Sequence, residues 1–216
     1  MKNKTFTTLN IVTSAMLSAF AVILGTTFHA LTQSPISSLF SPMHFPVLLA
    51  GILCGQWLGL ICGALTPLIS FMSSGGVRPP FPTGLIPMIF ELAVYGFLSG
   101  LLRRIFLKNP KTNKVYSVLA LAISMIAGRL INAFVAAVIL ALSGGNFFVS
   151  LGERLLSNFT STWAGIIVQL VFIPLILFAL QKSGVLIKYI PDDIQYAVSE
   201  RNETEEEAKN GEQSEK

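Results

Sequence analysis

Long apolar stretches alternate along this chain with short polar or basic ones, and the lengths of the apolar stretches predict membrane-crossing helices. Clear runs extend over about Thr8 to Leu31, Leu85 to Leu107, Tyr116 to Ser143 and Thr162 to Gln181. Each is close to the roughly 20 residues an α-helix needs to cross about 30 Å of hydrocarbon. Met43 to Met72 contains no Asp, Glu, Lys or Arg, and is long for one span and short for two. Parity decides between them. Lys2 and Lys4 precede the first run, Arg103, Arg104, Lys108, Lys111 and Lys114 follow the Leu85 run, and Lys182 and Lys188 follow the last. Positive clusters favour the cytoplasmic side, and all three can lie there only if Met43 to Met72 crosses twice, turning near Cys54 to Trp57. The expectation is an all-α, polytopic bundle of six spans, about 8–31, 43–54, 56–72, 85–107, 116–143 and 162–181, in the cell membrane with both termini cytoplasmic.

Composition agrees with this class. Hydrophobic residues make up 52% of the chain and charged ones 12%, about half the charged fraction of soluble domains; mean hydropathy is +0.67. Nine of the eleven acidic residues lie from Asp192 onward. The chain therefore divides into a membrane domain, 1–191, and an acidic tail, 192–216, too poor in apolar residues to form a core and expected to be disordered. The net charge of +4 does not point to nucleic acid, because the basic residues fall between apolar runs instead of forming a stripe. The first run is longer than the apolar region of a signal peptide, about 7 to 15 residues, and ends at no small-x-small cleavage site. Cys54 and Cys62, eight apart within apolar sequence, read as small buried hydrophobes, with a disulfide or metal site as the alternative.

Under this topology three segments face outward: Thr32 to Pro42, Ser73 to Gly84 and Gly144 to Ser161. Their prolines and glycines suit shaped loops that either cover an outward cavity or simply connect helices. Trp163 reads as an interfacial anchor.

Polar residues inside the spans carry the sharper signal, since a charge at the bilayer centre costs about 2.5 kcal/mol or much more and usually faces a cavity or partner. Glu91 lies about two turns inside the outer end of its span and Gln169 at a similar depth in the last one. Arg129 and Asn132, three apart, share a helix face, with Arg129 near mid-membrane at about 1.5 Å of rise per residue. These side chains can converge in the outer half of the bundle. Glu91 and Arg129 then either form a structural ion pair or hold a polar ligand, with Arg129 or Arg78 supplying donors to a carboxylate. His44 at the outer mouth and His29 near the end of the first span are read as helix-end caps or as weaker ligand candidates. Small residues recur at helical spacing as Gly51, Gly55, Gly59 and Gly63, and as Ala15 and Ala19 beside Ser14 and Ser18. Such faces let helices approach closely, and the glycine series also crosses the expected turn.

Nothing in the chain reads as an enzyme. It has no phosphate-binding loop of the Gly-x-x-x-x-Gly-Lys-Ser/Thr kind, no Gly-x-Ser-x-Gly elbow, no His-Glu-x-x-His pair and no clustered Cys/His set. No cofactor or metal is expected. Transport would draw on a partner or an ion gradient, and the two halves show no internal match of the kind secondary transporters carry.

The segment Pro42-Met-His-Phe-Pro-Val-Leu-Leu-Ala-Gly51, then Gly55-Gln-Trp-Leu-Gly59 and Gly63-Ala-Leu-Thr-Pro67, resembles the second and third helices of substrate-binding subunits of energy-coupling factor (ECF) transporters. Pro87-Met-Ile-Phe-Glu91-Leu-Ala-Val-Tyr95-Gly96 and Gly128-Arg129 extend the likeness, which covers most of residues 8 to 181. The resemblance implies a six-helix vitamin-binding subunit that docks on a transmembrane coupling subunit and two ATPases. It implies that Ala15 and Ala19 face the coupling subunit, and that ligand sits under the outward loops among helices four to six. The candidate ligand residues are Glu91, Arg129, Asn132, Gln169, His44 and Arg78. The likeness is nearest the pantothenate and folate branches, and an arginine in the cavity suits the carboxylate both vitamins carry; pantothenate is the first expectation. The competing expectations are an autonomous ion-coupled carrier working through Glu91, and a membrane scaffold in which Glu91 and Arg129 only pair with each other.

Overall fold

The computed structural model describes residues 6–32, 42–107, 113–161 and 163–182. Among them the chain is entirely helical. In order, the helices are α1 (Thr8–Thr32), α2 (His44–Cys54), α3 (Gln56–Ser73), α4 (Leu85–Leu107), α5 (Asn113–Leu142), α6 (Phe147–Thr160) and α7 (Trp163–Lys182). Four helices are long and apolar enough to cross a membrane, over Thr8–Phe28, Gln56–Ser73, Leu85–Leu102 and Leu121–Leu142. A fifth crossing is reached if α6 and α7, inclined at 52°, count as one broken span. The chain is a polytopic membrane helical bundle.

Met43 to Met72 forms two helices that meet at Gly55, whose φ of 97° is a left-handed conformation open to glycine and costly for other residues. Gly51 and Gly59, four positions to either side, come so close that a Cβ built on Gly59 would lie 2.6 Å from the Gly51 Cα. The two helices therefore fold back on each other. At 11 residues, or about 16 Å, α2 is much the shorter of the pair. The glycines of this series do different things: Gly55 permits the break, while Gly51, Gly59 and Gly63 put their bare faces against α4. A Cβ on Gly59 would run into the Gly96 carbonyl, and one on Gly63 into the Leu92 carbonyl.

α4 is the central strut, packed on α2, α3 and α5. The core beside it contains Val47, Leu48, Leu92, Tyr95, Leu121 and Ile173, all fully buried. Small polar groups tie the helices together. Ser14 Oγ donates to the Leu58 carbonyl at 3.4 Å, Ser18 Oγ to Cys62 Sγ at 2.9 Å, and Ser99 Oγ to the Leu48 carbonyl at 3.3 Å. In lipid such hydrogen bonds hold helices together where the hydrophobic effect between them is absent. Large apolar side chains cover the outside, among them Met16, Phe20, Ile23, Phe134 and Phe172, as a chain solvated by acyl tails requires. Cys54 and Cys62 are buried and are not joined in a disulfide.

Two of the expected outward segments can be compared with the structure. Ser74 to Gly84 is a compact connection: Ser74 Oγ accepts from the Arg78 amide at 3.0 Å and donates to the Arg78 carbonyl at 2.7 Å, and Gly75 and Gly76 take φ of 67° and 80°. Gly144 to Ser161, expected as a shaped loop, is instead mostly the helix α6. Asn146 caps it by accepting from the Phe148 amide at 3.2 Å, which satisfies one of the free donors of the first turn. The Asn146 signal and the periodic Phe148, Val149, Leu156 and Phe159, all exposed, outweigh the Gly144–Gly145 break that suggested a loop. Most of the first outward segment and the whole acidic tail lie outside the described residues, as does the His29 side chain.

Candidate functional site

Glu91 sits on α4, buried at 6% exposure, and four elements converge around it. Its Oε1 accepts from the Tyr95 hydroxyl at 2.7 Å, one turn along the same helix, and lies 3.5 Å from His44 Nε2 at the start of α2. Its Oε2 accepts from Asn132 Nδ2 on α5 at 2.8 Å. The His44 and Tyr95 rings lean on each other with centroids 5.3 Å apart. Tyr95 fits there because Gly128 of α5 has no side chain; a Cβ at Gly128 would collide with the Tyr95 ring. The Gly128-Arg129 pair thus serves the site twice, the glycine by making room and the arginine by adding charge.

The network continues to α6. Asn158 Nδ2 donates to Asn132 Oδ1 at 3.1 Å and to the Arg129 carbonyl at 3.3 Å, and Arg129 Nη1 donates to the Asn158 carbonyl at 2.8 Å. Arg129 is 3% exposed. Its Nε is buried and has no hydrogen-bond partner. Nη1 is taken by Asn158, so Nε is the guanidinium donor left buried and unmatched. Nε is one arm of the side-on edge by which a guanidinium takes a carboxylate.

Glu91 and Arg129 do not form the direct ion pair that was one reading of the sequence. Asn132 and Asn158 stand between them, and the basic side chain within 4.0 Å of Glu91 among the described residues is the His44 imidazole. Both Glu91 oxygens are engaged, whereas the Arg129 Nε is not. A buried charge with an unmatched donor is costly, and a ligand anion would remove that cost.

Of the residues singled out from sequence, Glu91, Arg129, Asn132 and His44 come together in this one network. Gln169 is buried at 2% exposure on α7, which packs against α5 and α2. Arg78 is exposed on the α3–α4 connection, with its backbone bound to Ser74. Ala15 and Ala19 are exposed on α1, while their neighbours Ser14 and Ser18 turn inward. Two members of the network were not singled out as ligand candidates. Tyr95 stood in the sequence as part of an apolar motif, although its place four residues after Glu91 sets it on the same helix face. Asn158 was hidden by reading its segment as a loop, and the Asn146 cap was the available signal that it lies on a helix.

No curated protein and no solved structure matches this chain. The family model described as ECF transporter, substrate-specific component, matches it over residues 9–187. The match runs across all the helices that build the network, the bundle is that of a membrane protein, and such components are transport binding proteins and not enzymes. The chain belongs to the ECF transporter substrate-specific component family.

Proposed function

We propose that this subunit captures a carboxylate-bearing vitamin at the outer face of the membrane, pantothenate first and folate next, for ATP-driven uptake through partner subunits. Substrate-specific components bind substrate and associate with an energising module. The partners proposed are a transmembrane coupling subunit and two ATPases, with Ala15 and Ala19 on the docking face of α1. In the same reading the six expected spans stand, α2 and α3 each counting as one passage about Gly55, and both termini are cytoplasmic. The acid–base asymmetry of the site is the observation that carries the ligand class. Both oxygens of Glu91 are engaged by Tyr95, Asn132 and His44, so it has little left to offer a cationic ligand, while Arg129 keeps a buried Nε donor unmatched.

Equilibrium binding of labelled pantothenate to the full chain purified in detergent tests this reading. Wild type binds, and Arg129→Ala weakens binding by about 100-fold or more, the usual consequence of truncating one partner of a buried charge-assisted contact. Unchanged affinity in that variant overturns the assignment of Arg129. An autonomous carrier coupled through Glu91 would instead accumulate solute in liposomes that contain this chain alone under an imposed ion gradient.

A further inference from the structure

Asn158 touches Arg129 in two ways, and this has a consequence for selectivity. A guanidinium has two edges that can grip a carboxylate, the end-on edge between Nη1 and Nη2 and the side-on edge between Nε and Nη2. In a buried site with unconstrained rotation about the side chain, either edge would serve, and neither would be preorganised. Here the Asn158 carbonyl takes Nη1 at 2.8 Å and so anchors the guanidinium at that nitrogen, while Nε, one arm of the side-on edge, stays without a partner. The Asn158 side chain keeps that carbonyl in position by donating to the Arg129 carbonyl at 3.3 Å and to Asn132 Oδ1 at 3.1 Å. Asn132 is held in turn by Glu91 at 2.8 Å.

We propose that Asn158, on the helix between α5 and α7, is a positioning residue that aims the side-on edge of Arg129 at the ligand's carboxylate and thereby makes the site select an acid over its neutral analogue. Asn158 itself need not touch ligand. The inference rests on the reading of the site as a carboxylate-binding one, and it adds a residue and a form of specificity to that reading. Physically, a donor fork held in one orientation before binding loses less rotational freedom when the carboxylate arrives. A site built around such a fork also discriminates strongly against a ligand that cannot accept its two hydrogen bonds.

The test compares pantothenate with panthenol, which differs in carrying a primary alcohol in place of the carboxylate. Dissociation constants for both are measured by calorimetry on the full-length chain in detergent, for wild type, Asn158→Ala, Arg129→Ala and the double variant. Loss of two hydrogen bonds that orient a charged group predicts that Asn158→Ala weakens pantothenate about tenfold and panthenol less than about twofold. Because Asn158 acts through Arg129, its effect on pantothenate in the Arg129→Ala background falls below about twofold. Should Asn158→Ala be recovered only as aggregate, Asn158→Ser keeps a donor in the same place and is measured instead. It is expected to give a smaller loss confined to the acid. An equal loss for acid and alcohol, or an undiminished effect without Arg129, overturns the role of Asn158 while leaving the carboxylate site intact. Wild-type protein that binds neither compound, or both equally, overturns the carboxylate reading and this inference with it.

Discussion

Gly59 on α3 and Gly96 on α4 face each other backbone to backbone, so closely that a Cβ on either would collide with the carbonyl of the other. The approach brings α3 against α4 and so sets the framework on which Glu91 and Tyr95 are displayed. Gly96→Ala should cost about 1–3 kcal/mol as an overpacking change, with a larger side chain preventing assembly. Gly152 on α6 is the control, since a Cβ there meets nothing within 4 Å. Gly152→Ala should be neutral or gain about 0.5–1 kcal/mol from helix propensity. Thermal unfolding of the detergent-solubilised variants measures both, and a Gly96→Ala protein as stable as wild type would show that the two helices are not in this contact.

The carboxyl of Glu91 is expected to matter for stability as well as for ligand. Removing it strands the Tyr95 hydroxyl, the Asn132 amide and the His44 ring together in a buried place. Glu91→Ala should destabilise the apo protein by about 2–4 kcal/mol, from several lost partners at about 1 kcal/mol or more each. Tyr95→Phe removes one of these hydrogen bonds without changing the ring's packing against Gly128, and should cost only about 1 kcal/mol. The same melting assay without ligand separates the two variants. Equal, small effects would mean that Glu91 is not tied into this network.

How much of this was legible in the sequence follows from the range of each signal. The apolar runs report a local property, length against bilayer thickness, and four of them reappear as α1, α4, α5 and α7 with ends close to those expected. The turn within Met43 to Met72 was also local, and Gly55 marks it through a backbone conformation that glycine favours. Glu91, Arg129, Asn132 and His44 stood out because polar groups in apolar helix are expensive. Their connection did not, because whether an acid and a base 38 positions apart meet directly or through two asparagines depends on helix rotation and on a fourth element. That element, α6, was lost to its flanking glycines, and Asn158 with it. Arg78 was singled out as a donor for a carboxylate, and the structure sets it exposed on the α3–α4 connection.

Arg78 and Arg129 differ in burial, and their substitution should separate kinetically. An exposed charge acts on encounter and is screened by salt, while a buried donor acts on the lifetime of the complex. Arg78→Ala is expected to lower the association rate for pantothenate by about threefold or less at low ionic strength, with the difference vanishing near 0.5 M salt, and to leave dissociation unchanged. Arg129→Ala should act mainly on dissociation at any salt concentration. Stopped-flow binding at two ionic strengths resolves these cases. A salt-independent loss in Arg78→Ala comparable with that of Arg129→Ala would place Arg78 among the ligand's direct contacts.

The last prediction concerns α1, where one helix carries two faces with different surroundings. Ser14 and Ser18 are committed to α3 through Leu58 and Cys62, whereas Ala15 and Ala19, one position along, are exposed beside Met16 and Phe20. Small residues at this spacing allow a second helix to approach closely, which is what docking on a coupling subunit requires. Ala15→Trp with Ala19→Trp should therefore abolish uptake in cells or in liposomes that contain the complete complex, because the bulky rings hold the partner helix away. The polar network proposed to hold ligand belongs to α2, α4, α5 and α6, so the affinity of the isolated chain for pantothenate should stay within about twofold of wild type, as expected for distant, independent sites. Pull-down of the partner subunits supplies a third readout and should fail in parallel with uptake. Normal uptake with both tryptophans in place would move the docking face away from Ala15 and Ala19, and loss of binding in the isolated chain would mean that α1 shapes the ligand site itself.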